Sequence, residues 1–143
     1  MYGHLFNIDQ ISILLFWMTN FLYLGLAYYA NDFLDKIILC TIFIASFTFH
    51  TVQIWHRNLL LDYRVIKCMH LDIIVAISIF IILVIKYYYK IDQLTIIVLI
   101  ISLILLLCCD EETLIKGEYK YIITHSLWHI ATSWVLFRLL FNL

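Results

Sequence analysis

Long apolar runs separated by short polar breaks set the rhythm of this chain. The runs cover about residues 10–30, 37–55, 66–89, 91–109 and 120–141. A helix crosses the hydrocarbon of a bilayer with about 20 mostly apolar residues, and roughly 17–25 are tolerated. Each run therefore predicts a transmembrane helix. The breaks read NDFLDK, HRNLLLDYR, KIDQ and DEETLIKGEYK. Tyr28, Tyr29, Trp55, Tyr87, Tyr88, Tyr89, Tyr119 and Tyr121 fall at run ends, where an interfacial aromatic belt belongs. The pattern predicts an all-α fold, an integral membrane helical bundle of about five transmembrane helices, forming one domain over residues 1–143.

Composition strengthens this reading. Hydrophobic residues make up 65% of the chain and charged ones 13%, against about 45–50% and 25% in soluble domains. Mean hydropathy is +1.00. A net charge of −1 offers no clustered basic surface, which argues against a nucleic-acid partner. The first ten residues hold no lysine or arginine, and the run behind them is too long for a signal-peptide core. It is expected to stay as a span of a multi-pass protein. Cys40, Cys68, Cys108 and Cys109 form no Cys-x-x-Cys pair, so no redox or zinc-ribbon motif is signalled. Cys108 and Cys109 read as small apolar helix residues, with acylation as the alternative.

Five crossings fix a parity. If the N-terminus lies on a first face, the second and fourth runs end there and the third and fifth begin there. Arg57, Arg64, Lys67, Lys116 and Lys120 then lie on that face, against Lys36, Lys86, Lys90 and Arg138 opposite. The small excess points the first face toward the cytosol.

Ionisable groups within spans cost roughly 2.5–3.5 kcal/mol each for Asp, Lys or Arg, and they mark functional positions. The second run carries Ser46 and His50, the third His70 and Asp72, and the fifth His125 and His129. At a rise of about 1.5 Å per residue, His50 lies roughly 7 Å inside the first face and Asp72 about 10 Å. His125 and His129 lie roughly 6 and 12 Å deep on the same scale. All four groups fall in one leaflet. Residues i and i+4 share a helix face, so His125 and His129 point one way, as do Ser46 and His50. Two histidines one turn apart, joined by a third from another helix, match a catalytic zinc site with three protein ligands and one open position. Asp72 stands ready to take a proton or to orient a ligand ring, and Ser46 to donate to a substrate oxygen. The plainer reading makes these histidines interhelical hydrogen-bonders. His70, about 200° around the helix from Asp72, reads as interfacial. His4 and His56 read as solvated, and Asp110, Glu111 and Glu112 as a solvated loop.

The ordered motifs SFTFH (Ser46 to His50), LDIIVAI (with Asp72) and HSLWH (His125 to His129) resemble those of the CREST superfamily. That group includes alkaline ceramidases, PAQR receptors, lipid-remodelling proteins of GPI anchors and myomaker relatives. The resemblance implies zinc held by His50, His125 and His129, and a water near Asp72 and Ser46 in a pocket opening toward the membrane. Members usually have seven spans. Five fit here, and removing a pair keeps the parity. The lipid cavity must then be smaller, or completed by another subunit of a homo-oligomer. The acidic Trp-Cys-Glu stretch of the ceramidases is missing from MYGHLFNIDQ, which leaves a calcium site without its residues.

The leading expectation is a zinc-dependent hydrolase of an amide (ceramide-like) or ester bond in a membrane acyl lipid. Asp72 would act as general base and Ser46 would hold the developing oxyanion. The alternatives are a receptor-like or fusion-promoting membrane protein with structural zinc, and a b-type haem protein.

Overall fold

The computed structural model describes residues 10–55, 63–109 and 119–141, and all regular structure among them is helical. The order is α1 (Gln10–Met18), α2 (Phe21–Tyr29), α3 (Phe33–Trp55), α4 (Tyr63–Lys86), a 3-10 turn (Tyr88–Lys90), α5 (Gln93–Leu107) and α6 (Tyr119–Phe141). His4, His56 and the acidic run Asp110, Glu111 and Glu112 lie outside the described residues. The second, third, fourth and fifth apolar runs each coincide with one long helix, to within a few residues at each end.

The first run does not form one helix. It divides at Thr19 and Asn20 into two nine-residue pieces. The Thr19 hydroxyl donates to the Phe16 carbonyl at 2.7 Å, and the Asn20 amide donates to the Trp17 carbonyl at 2.8 Å. These side chains compete for carbonyls that the helical ladder would otherwise use. The backbone responds with tight three-residue bonds, from Asn20 N–H to Trp17 at 3.4 Å and from Tyr23 N–H to Asn20 at 3.1 Å. Asn20 keeps right-handed helical angles (φ −64°, ψ −31°), so the chain bends without unwinding.

Two segments are long and apolar enough to cross a membrane, Phe33–Gln53 and Val65–Lys86, with mean hydropathies of 1.6 and 2.7. Helix α5 is shorter at 15 residues. Helix α6 has 23 residues but spends many of them on polar side chains that point inward.

Helix α3 packs between α2 and α4, and α6 packs against α1, α2 and α5 while touching α4. The paired α1 and α2, with α3, α4 and α6, thus surround an interior, and α5 lies outside it against α6. Polarity is turned inside out. Asn20, Asp35, Ser46, His50, Asp72, His125 and His129 are buried, while Ile74, Ile81, Ile85, Ile97, Ile100 and Leu107 are exposed. One apolar cluster is built on Tyr23, Leu39, Leu83 and Leu136, and a second on Phe16, Phe49, Val65, Met69 and Tyr121. At the end of the bundle where α2 gives way to α3, Lys86 bridges Asp32 at 2.9 Å and Asp35 at 2.7 Å, and the Tyr87 hydroxyl also donates to Asp35. Arg138 pairs with Asp92 at 2.7 Å.

Candidate metal centre

The inward stripe of α3 runs Leu39, Ile42, Ser46, Phe49 and His50, at spacings of three and four. That of α6 runs Tyr121, His125, Trp128, His129, Thr132 and Leu136. Where the two stripes meet, His50, His125 and His129 converge, each at most 1% exposed. Each offers a ring nitrogen, and these three atoms lie within 4.8 Å of one another. The ring centroids of His50 and His125 are 4.8 Å apart, and those of His125 and His129 are 4.7 Å apart. Phe16 of α1 stands edge-on to His50 at 4.3 Å and to His125 at 5.6 Å, closing the cluster from the side.

The hydrogen bonds of the three rings differ. His50 Nδ1 lies 3.0 Å from Gln53 Oε1, one turn further along α3. His129 Nδ1 lies 3.0 Å from the Tyr23 hydroxyl of α2, which lies 2.7 Å from Thr132 Oγ1. The Nε2 atoms of His50 and His129 face each other at 3.2 Å. Neither nitrogen of His125 has a hydrogen-bond partner, although the ring is buried.

These residues fit a zinc ion. Nitrogen ligands at about 2.0–2.1 Å in tetrahedral array stand about 3.3 Å apart. The His50 and His129 nitrogens already have that separation, and the unpartnered His125 ring has only to close in. Buried imidazole nitrogens left without partners are costly, and a shared cation would satisfy all three rings. Among the described residues no fourth His, Cys, Asp or Glu joins the group.

Asp72 and Ser46, expected beside the histidines, are both buried to 1% exposure. The Ser46 hydroxyl lies next to the Asp72 carboxyl across the α3–α4 interface. Neither makes a hydrogen bond meeting ordinary geometry, and Asp72 is bonded to none of the histidines. Tyr23 and Tyr121 pack against His129 and His125. Asp72 is buried in the interior of the bundle, as the histidines are, and hydrogen-bonds none of them. His70 is exposed, on the opposite face of α4 from Asp72.

Three contributors were not singled out by motif, namely Tyr23, Gln53 and Thr132. Their one sequence signal is a hydroxyl or amide within apolar surroundings, Tyr23 in the middle of the first run above all. Tyr121 departs from its expected place in the interfacial belt. It is 2% exposed and stacks on His125 at 5.2 Å. Its position at a helix start is right for the belt, but its direction is inward.

No family model, curated protein or solved structure matches this chain.

Proposed function

We propose that the chain is a multi-pass, five-span membrane protein, related in design to the CREST superfamily, that hydrolyses an amide or ester bond of an acyl lipid with zinc held by His50, His125 and His129. The observation that carries this reading is the convergence of three fully buried ring nitrogens within 4.8 Å, with His125 left unpartnered. Support for the membrane setting comes from the exposed isoleucine and leucine side chains of α4 and α5, set against a polar interior.

When bound, zinc lowers the pKa of a coordinated water toward about 7 and polarises a carbonyl. The protein's own groups do the rest. The Asp72 carboxyl, free of other hydrogen bonds, accepts the proton of the attacking water and passes it to the leaving nitrogen or oxygen. Ser46, equally free, donates to the carbonyl oxygen as charge develops. Three converging ligands among the described residues suit a catalytic zinc, which would keep a position for water, better than a four-ligand structural one. A haem is disfavoured because the three histidine rings pack on one another and on Phe16, occupying the space a porphyrin would need. Ceramide-like amides are the first substrates to try, a choice that rests on the resemblance alone.

The test is metal content of detergent-purified protein beside the His125→Ala/His129→Ala double variant, followed by turnover of lipid amides and esters. About one zinc per chain in the wild type, absent from the folded variant together with hydrolysis, is the expected result. A folded wild-type protein that takes up no zinc when it is supplied would overturn the proposal.

A further inference from the structure

The two hydrogen bonds behind His50 and His129 decide which ring nitrogens face the cluster. Gln53 Oε1 is an acceptor only, so the His50 Nδ1–H donates to it at 3.0 Å and leaves the Nε2 lone pair pointing inward. Tyr23 is different because a phenol both donates and accepts. Its oxygen lies 3.0 Å from His129 Nδ1 and 2.7 Å from Thr132 Oγ1. The Thr132 hydroxyl in turn lies 2.8 Å from the Trp128 carbonyl and 3.2 Å from that of His129.

Counting protons along this chain gives two complete arrangements. In the first, Thr132 donates to Tyr23, Tyr23 donates to His129 Nδ1, and His129 Nε2–H donates to His50 Nε2. No cation is then needed between the two rings. In the second, Thr132 donates to the Trp128 carbonyl, Tyr23 donates to Thr132, and His129 Nδ1–H donates to Tyr23. Both Nε2 lone pairs then face each other across 3.2 Å, an arrangement that requires a cation between them. Converting the first into the second turns over two hydroxyl groups and moves the His129 ring proton from Nε2 to Nδ1 by exchange with water; with a cation between the rings, the second leaves no polar group of this chain unsatisfied. A carboxylate in place of Tyr23 could serve only the second arrangement, and phenylalanine neither.

We infer that Tyr23 and Gln53 are positioning residues of the metal centre, which set His129 and His50 to present Nε2 to a transition-metal cation. The Tyr23–Thr132 pair can partner either tautomer of His129, including the one that presents its Nε2 lone pair to an ion. This inference rests on the proposed metal site and adds to it residues from α2 and from the end of α3. His125 has no such support, so its orientation is left to the metal.

Cobalt(II) is the probe, because three nitrogens and a water in tetrahedral array give it intense visible bands that report coordination directly. Cobalt titration of the full-length protein in detergent, followed by displacement with zinc, gives both affinities and geometry. Tyr23→Phe and Gln53→Leu should each weaken cobalt binding about 10–100-fold, the usual effect of removing a partner behind a ligand histidine. Thr132→Val should weaken it less, because Tyr23 can still accept from His129. Gln53→Glu, which keeps the acceptor, should bind at least as tightly as the wild type, and a merely structural role would not produce that rescue. Wild-type protein that binds cobalt tetrahedrally, with folded Tyr23→Phe and Gln53→Leu binding equally well, would overturn this assignment alone. Failure of the wild type to bind cobalt or zinc would overturn the metal centre, and the assignment with it.

Discussion

Asp72 carries two carboxyl oxygens that are buried and make no hydrogen bond, and Ser46 beside it is in the same condition. Such groups lower stability, because an unsatisfied buried polar atom costs about 1–3 kcal/mol and more when charged. A residue kept at that cost is expected to serve the chemistry. Asp72→Asn should therefore leave the melting temperature unchanged or raise it, while lipid hydrolysis falls about 10²–10⁴-fold, the range for losing a general base. Zinc content should stay at the wild-type level, since Asp72 is not among the grouped ligands. Thermal melts and turnover on one preparation check both signs, and parallel losses of stability and activity would remove Asp72 from the chemistry. At this scale much of the site was legible. The i, i+4 spacing of His125 and His129 and the matching depth of His50 were enough to predict that the three would meet. Tyr23 and Gln53 were not legible, because their role depends on which rotamer reaches which ring, and spacing does not encode that. Tyr121 was placed by position along the chain, which fixes its depth but not its direction.

Among the elements, the break between α1 and α2 lets one apolar run do two jobs. Helix α1 leans Phe16 onto His50 and His125, and α2 carries Tyr23 to His129. The break was hidden in the sequence because it uses Thr19 and Asn20 rather than proline or glycine, and side-chain capture of carbonyls leaves no hydropathy signal. At the far end, α3 and α4 are joined by Lys86 between exposed Asp32 and buried Asp35. Lys86→Ala leaves the Asp35 carboxylate with only Tyr87 and the α3 N-terminus for support. Breaking a fully buried pair costs about 3–5 kcal/mol, and partial exposure of Lys86 places the expected loss nearer 2. Chemical denaturation in detergent measures it, and zinc content should not change, because this clasp lies far from the histidines. Asp32 adds a pH signature. The hydrogen bond from Lys86, then that from the Leu34 N–H, holds its carboxyl below the ordinary carboxylate range. Its contribution is complete above that range and disappears as pH falls through the depressed folded-state value. The stability gap between wild type and Asp32→Asn, small at neutral pH because the pair is exposed, should close under acid.

For the whole molecule, the arrangement places a polar interior inside an apolar coat, and the question is how many helices pass through lipid. Helices α3 and α4 meet the requirement by length and composition. Helix α5 reaches only about 22 Å at 1.5 Å per residue, short of the roughly 30 Å hydrocarbon core. Its exposed face of Ile97, Ile100, Ile104 and Leu107 is nevertheless apolar beyond Gln93 at the helix start, and local thinning of the bilayer accommodates a modest mismatch. Helix α6 has the length, and its polar residues His125, His129, Thr132 and Ser133 are buried. Single cysteines introduced into a cysteine-free background and reconstituted into sealed vesicles separate the possibilities. Lys67→Cys and Tyr88→Cys, at the two ends of α4, should be labelled from opposite sides by a membrane-impermeant maleimide. If α5 crosses, Lys120→Cys is labelled from the same side as Lys67→Cys; if it does not, labelling follows Tyr88→Cys. A crossing α6 then puts Phe141→Cys with Tyr88→Cys. Five passes require all three results together. Labelling of Lys120→Cys from the Tyr88 side would leave α3 and α4 as a membrane hairpin and would put the start of α6, with His125 and His129, at the opposite end of the bundle from His50, so the histidine cluster could not form.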